Sequence, residues 1–333
     1  VKPWGRLLAL AAFRTLLAGA CAEAASTSDA LRQLLAAVPQ EPGDFHTENS
    51  ARLKSAATDL YESAAALSFD RNRTGARQWL AVTAHLLAAK DHVDASLNRT
   101  LELRGQLIHG GDTKQSRQTL RQFLITSSTL IDLSGRLRYL LRDAIGATAH
   151  YCARDRSQRL ELLELLIEHK SGMGAGVMSV LLEDPPQGSR RPAVDNFVKG
   201  KVLVLLAVSQ ESDLLPRVAK LIRNESTPAP LLVLAADCVQ RLGLPQDPHP
   251  DQDPDLPQPA ITAQELHARL SAIDPSRLRD DAANKRTMLL KWLHERMTKG
   301  VTGDSYRFFG HEVRVGDWLL MRNPSPYNLF TDL

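Results

Sequence analysis

Three cysteines, a histidine pair, a row of arginines and an alternating set of aspartates are the residues of this chain whose types and spacing bear on chemistry. Cys21, Cys152 and Cys238 lie far apart and form no CxxC pair, so their spacing gives neither a zinc knuckle nor a disulfide framework. A nucleophilic cysteine needs a thiolate beside an imidazole. Cys152 and Cys238 instead sit in helical, apolar surroundings, where a thiol reads as a small buried hydrophobe. His85 and His92 are two helical turns apart with Asp91 adjacent, but metal centres in helical bundles use Glu-x-x-His spacings on facing helices, and none accompanies them. Asp251, Asp253 and Asp255 open like a calcium loop, yet Leu256 and Thr262 stand where its glycine and glutamate belong, and calcium is not expected. Arg117, Arg121, Arg136, Arg138 and Arg142 share one predicted helix with few acidic neighbours and read as a solvated face. The sequons at Asn72, Asn98 and Asn224 matter only in a glycosylating source. There is no glycine-rich phosphate loop, HExxH, GxSxG elbow or kinase signature, so no catalytic, cofactor-binding or metal-ligating residue is assigned and no cofactor is expected.

The elements that carry these residues are predicted to be helices. The chain of 333 residues is 43% hydrophobic but only 5% aromatic, with leucine and alanine leading, which favours an all-α body. Leu53, Ala57, Leu60, Tyr61 and Ala64 recur at three- and four-residue steps, the spacing of one helix face. Two helices of more than thirty residues, joined at Gly110 and Gly111, predict an antiparallel hairpin, and residues 26–150 read as a helical bundle. From 151 to 243 the predicted helices shorten. One ends at Gly172, Thr227 and Pro228 cap and open another, and the blocks 202–207 and 231–236 resemble each other at a spacing of 29 residues (202 to 231). This stretch resembles the paired helices of HEAT-type repeats. Residues 244–261, rich in proline and aspartate, predict a solvated linker. A helical hairpin follows over 262–303, with a capping box at Thr262 and Glu265 and a second helix capped by Asp274 and Pro275.

The two ends carry other signals. Residues 1–25 run from Lys2 and Arg6 through apolar stretches to small residues, the order of a secretory signal peptide, although Arg14 interrupts it. "LAGAC" resembles a lipobox ending at Cys21, which makes Cys21 the candidate for lipid attachment; a plain amphipathic first helix is the alternative. The net charge of +3, from 41 basic and 38 acidic residues, sets up no field suited to nucleic acid. Membrane association is expected only through the signal peptide or lipid anchor.

From Tyr306 the apolar period changes to that of strands, and a short C-terminal β segment over 304–333 is predicted, with a turn at Gly316 and Asp317. Val315, Gly316, Asp317, Trp318, Leu319, Leu320 and Arg322 resemble the opening strand of the permuted papain-like cysteine hydrolases of the NlpC type, including their YiiX-like branch. The resemblance implies a general-base histidine after a short loop and a nucleophilic cysteine further downstream. Neither follows the motif before Leu333, and His311, Cys152 and Cys238 all precede it, so the chain is expected to be inactive by itself and its reading frame to continue. The sequence therefore reads as a mainly α, non-catalytic accessory region of an exported, cell-envelope or periplasmic cysteine amidase or peptidase, with a protein or peptide partner. The alternatives are a helical scaffold that binds proteins through HEAT-like surfaces and a cytoplasmic helical protein without export.

Overall fold

A computed structural model describes residues 25–69, 75–104, 107, 114–183, 194–243, 260–299, 305–308 and 311–314. The fold is mainly α, and the chain divides into two compact units, Val1–Met178 and Ser179–Leu333.

In the first unit, α1 (25–37) precedes α2 (Thr47–Phe69), α3 (Ala76–Glu102) and α4 (Lys114–Cys152). The 39 residues of α4 span about 60 Å, and both α2 and α3 pack along it. Leu53 and Leu60 of α2, Leu86 and Val93 of α3, and Leu130, Leu137 and Ile145 of α4 are fully buried and make the core. Polar contacts set the directions. Thr83 meets Thr148 at 2.8 Å and Ser134 donates to Asp94 at 2.6 Å, so α3 and α4 run antiparallel, as predicted. Gln122 donates to Thr47 at 3.3 Å, Ser50 meets Thr126 at 3.4 Å, and Arg136 lies 5.3 Å from the Tyr61 ring centre, so α2 and α4 run parallel. Thr148 Oγ1 is also 2.7 Å from the Ala144 carbonyl and 3.1 Å from the Trp79 carbonyl; its one proton serves these acceptors, and it accepts from Thr83. Phe45 and Phe123 meet edge to face at 5.6 Å and, with Leu103, close one end of the core.

Two further helices, α5 (Arg156–Glu168) and α6 (Gly172–Met178), also pack on α4. Asp155 caps α5, accepting from the amides of Ser157 and Gln158. The sequence placed the end of α5 at Gly172, but the reversal occurs at Lys170, whose φ of 46° is left-handed, and Ser171 N–H donates to the Leu166 carbonyl. The glycine that close packing requires is Gly174: a Cβ there would stand 2.5 Å from Cδ2 of the fully buried Leu166.

The second unit contains α7 (Asn196–Ser209), α8 (Leu215–Arg223), α9 (Ala229–Leu242), α10 (Ala263–Ser271) and α11 (Asp280–Lys299). In it α9 packs against α7, α8 and α11, while α10 packs against α8 and α11. Arginines join the helix ends. Arg269 of α10 donates to the carbonyls of Ile222 and Asn224, which end α8, and Arg286 of α11 donates to those of Leu270 and Ser271, which end α10. Helices leave their last carbonyls without internal partners, and a guanidinium satisfies two at once while meeting the negative end of the helix dipole. Arg223 binds Glu265 through both carboxylate oxygens, at 2.6 and 3.0 Å, and donates to the Ala260 carbonyl.

Several predicted helix ends differ because their side chains serve neighbours. Thr227 does not cap α9; its hydroxyl donates to the Leu221 carbonyl and Pro228 takes the N-cap position. Thr262 does cap α10, but the Glu265 carboxylate that would complete the box goes to Arg223. Asp274 and Pro275 open a 3₁₀ turn, Pro275–Arg277, and α11 starts later, at Asp280. In the first unit α3 closes at Glu102, with Leu103 as its C-cap.

The change of period at Tyr306 coincides with two antiparallel strands, β1 (Ser305–Phe308) and β2 (His311–Arg314), in the register Tyr306 with Val313 and Phe308 with His311. No helix of the described residues is long and apolar enough to cross a membrane. Residues 1–24, 244–259, the glycine pair at 110 and 111, and Gly316 to Arg322 of the strand motif lie outside the described residues, and with them Cys21, Asn72, Asp251, Asp253 and Asp255.

Candidate functional site

The two described cysteines are packed as hydrophobes. Cys152 ends α4 fully buried, and burial, followed by the nearby charges of Glu161 and Asp155, pushes its thiol up to about 11. Cys238 is enclosed in α9, where burial, with Asp237 beside it, pushes the thiol up to about 12. Near neutral pH both are protonated, which is the wrong state for a nucleophile or a metal ligand.

His85 and His92 are not brought together with Asp91. His85 Nδ1 lies 2.8 Å from the Ala81 carbonyl of its own helix, and Asp91 is taken by His169, just past the end of α5, at 2.6 Å. A carboxylate only accepts, so His169 Nδ1 donates. This contact fastens α3 to the turn that follows α5. Among the described residues no group of three or more His, Cys, Asp or Glu is placed to hold a metal ion.

The arginine row of α4 divides. Arg136 pairs with Asp132 at 2.8 Å and covers Tyr61, Arg138 and Arg142 are exposed, and Arg117 and Arg121 line a groove against α2. Asn98 is exposed on α3, and the Asn224 side chain accepts from Ser226 N–H and Oγ.

No protein-family model, curated protein or solved structure matches the chain.

A surface that sequence reasoning missed lies on the second unit. On α7, Phe197 and Val204 are 54% and 38% exposed, and on the adjoining α9 Leu234 is 42% exposed. Phe197, Gly200 and Val204 follow one another at helical steps on a single face. A Cβ on Gly200 would stand 3.4 Å from Leu234 Cδ1, so the leucine lies over the gap between the other two. Lys201 Nζ sits 5.9 Å from the Phe197 ring centre, adding a cation–π contact at the edge of the stripe. The burial pattern recurs: buried, buried, exposed, buried, buried over 202–206 and again over 232–236, which sets Val204 and Leu234 at equivalent places 30 residues apart (204 to 234). The blocks that match in sequence at 29 residues thus match in burial one residue later. Glycine at 200 is the one signal in the sequence that a neighbouring side chain comes close to that face.

Proposed function

We propose that the helical units are a non-catalytic scaffold that holds a protein partner, and that α7 to α9 stack in the manner of HEAT-type repeats. The observation that supports this reading is the apolar stripe of Phe197, Leu234 and Val204, supplied by two neighbouring helices at equivalent positions. Large apolar side chains that stay exposed side by side mark contact surfaces, with an aromatic residue as the usual anchor. The protonated, enclosed thiols of Cys152 and Cys238 agree with it, since neither supplies a nucleophile.

The test is a photo-crosslinking amino acid placed at Phe197 and, separately, at Leu234 in the source cell, with the adducts identified by mass spectrometry. The expected result is the same protein at both positions, whose purified form binds the chain about tenfold or more weakly after Phe197→Asp. Adducts to unrelated proteins at the two positions, or unchanged affinity after the substitution, would sink the proposal.

The strand motif favours a second, compatible reading. Gly316, Asp317, Trp318, Leu319, Leu320 and Arg322 resemble the opening of a papain-like amidase or peptidase domain. On this reading the scaffold is the accessory region of an exported cell-envelope hydrolase. Sequencing the gene beyond the codon for Leu333 decides it: a histidine codon soon after and a cysteine codon further on support it, whereas a stop codon removes it.

A further inference from the structure

The parallel run of α2 and α4 leaves an open groove of about 670 Å³ between their N-terminal turns. It is lined on α2 by Thr47, Ser50 and Lys54, and on α4 by Arg117, Arg121 and Gln122. Among the described residues no carboxylate lines it, and none is paired with Lys54 or Arg121. Glu48, in the first turn of α2, is exposed and is not part of the lining.

Two effects give the groove a single sign. Lys54, Arg117 and Arg121 carry three positive charges, and the two arginines stand one turn apart on α4, so their guanidiniums project along the same wall. The helix directions add to this. Antiparallel neighbours set opposite dipole ends side by side, but the Thr47–Gln122 and Ser50–Thr126 contacts make α2 and α4 parallel, so their positive N-terminal ends lie at the same end of the groove. An anion at the site meets Lys54 and Arg121, which no described carboxylate holds, while Ser50 and Gln122 are already bonded to Thr126 and Thr47, and Ala51 and Ile125 add apolar lining.

The dimensions select the ligand. From Thr47 to Lys54 the wall rises about 10 Å along α2, which is the length of about three residues of extended chain. A lone phosphate or carboxylate fills only part of that space. Carboxylates on alternate residues of an extended strand project to the same side about 7 Å apart, which lets one reach Arg121 and the next reach Lys54. Guanidiniums bind carboxylates through two parallel hydrogen bonds, whereas lysine supplies a point charge. We infer that this groove is a docking site for an acidic peptide segment of a partner protein, held by carboxylates against Arg121 and Lys54. The inference is independent of the apolar stripe on α7 and α9, and either stands without the other.

The test uses the full chain and a fluorescein-labelled peptide of alternating glutamate and serine, followed by anisotropy at physiological ionic strength. Saturable binding is expected, weakened about tenfold or more in the double variant Lys54→Gln with Arg121→Gln. Arg138→Gln with Arg142→Gln removes the same charge from exposed α4 positions away from the groove and is expected to change affinity by less than about twofold. Lys54→Arg with Arg121→Lys keeps the charges and is expected to retain most of the binding. Lys54 and Arg121 are exposed, and circular dichroism verifies that each variant keeps its helices; the single Arg121→Gln variant replaces the pair if the pair melts. Absence of saturable binding, an equal loss in both glutamine pairs, or equal competition by inorganic phosphate or anionic lipid vesicles at matched charge overturns the inference.

Discussion

Both units close on buried apolar side chains, but the second, built of shorter helices, adds arginines that reach into the ends of their neighbours. On α4, leucines and isoleucine fill the contact with α2 and α3, and the polar bonds between helices are mostly side chain to side chain, as in Thr83 with Thr148 and Ser134 with Asp94, with Thr148 also reaching the mid-helix carbonyl of Trp79. In the second unit side-chain pairs such as Arg223 with Glu265 and Lys285 with Asp237 are accompanied by bonds from guanidinium to backbone carbonyl: Arg269 to the end of α8, Arg286 to the end of α10. Length explains the difference. A helix of 39 residues has few ends and much flank, so its packing is decided by the residues along it. A helix of nine residues, such as α8 or α10, leaves nearly half of its carbonyls unsatisfied, so its ends dominate.

The strongest way to break the contrast is to cut the flank. Leu137→Ala opens a void in the fully buried contact of α4 and is expected to cost about 2 to 5 kcal/mol. Hydrogen exchange should show the loss across α2, α3 and α4 while protection around Arg269 is unchanged; loss spread evenly over both units would show that they do not differ in this way. Next in size is Arg269→Ala, which removes two charge-assisted bonds and is expected to cost about 1 to 3 kcal/mol, with faster exchange where α8 ends. An unchanged denaturation midpoint would mean that water serves those carbonyls equally well.

Thr148→Val keeps the shape and removes the hydroxyl shared with Thr83, at a cost of about 1 to 2 kcal/mol. Adding Thr83→Val should cost less than the sum of the single changes, because the second substitution removes the orphaned partner. Strict additivity in this double-mutant cycle would deny the coupling. The smallest effect sharpens what the units share. Each holds a buried cysteine whose folded pKa is raised, to about 11 for Cys152 and about 12 for Cys238, from an ordinary 9.0. A raised acid retains its proton in the fold after the unfolded chain has lost it. Its contribution is therefore whole below pH 9.0 and fades as the pH climbs toward the folded values, by about 1 kcal/mol per pH unit for each thiol. Cys238→Ala should flatten the alkaline decline of the second unit alone, which urea titrations at stepped pH would report.

The helices themselves were readable from the chain. The steps from Leu53 to Ala64 marked a buried face, and the surroundings of Cys152 and Cys238 marked their thiols as enclosed. Helix ends were less readable, because Thr227, Glu265 and Asp274 have the chemistry of local caps yet two of them serve partners beyond their own helix ends. Propensity sees one helix at a time, and a hydroxyl or carboxylate goes where tertiary structure offers the better partner. The candidate surfaces were hidden for the same reason. Asp91 and His169 are 78 residues apart, and the direction of α2 relative to α4, which makes the groove uniformly positive, is set by contacts between residues 75 and 76 apart. In the second unit, Val204 and Leu234 stand inside unbroken apolar runs where every residue looks equally buried until the neighbouring helix is in place.

The guanidinium contacts have a consequence for how this protein tolerates change. Arg223 and Arg269 join α8 to α10 directly, across the whole stretch of chain that holds α9 and the proline-rich residues 244–259. With the two helices clamped side to side, the covalent path between them need not hold them in register. Each doubling of a loop's length adds only about 0.6 kcal/mol of closure entropy. The 244–259 interval is accordingly the place to insert a fluorescent domain, an epitope or a protease site while keeping the second unit intact.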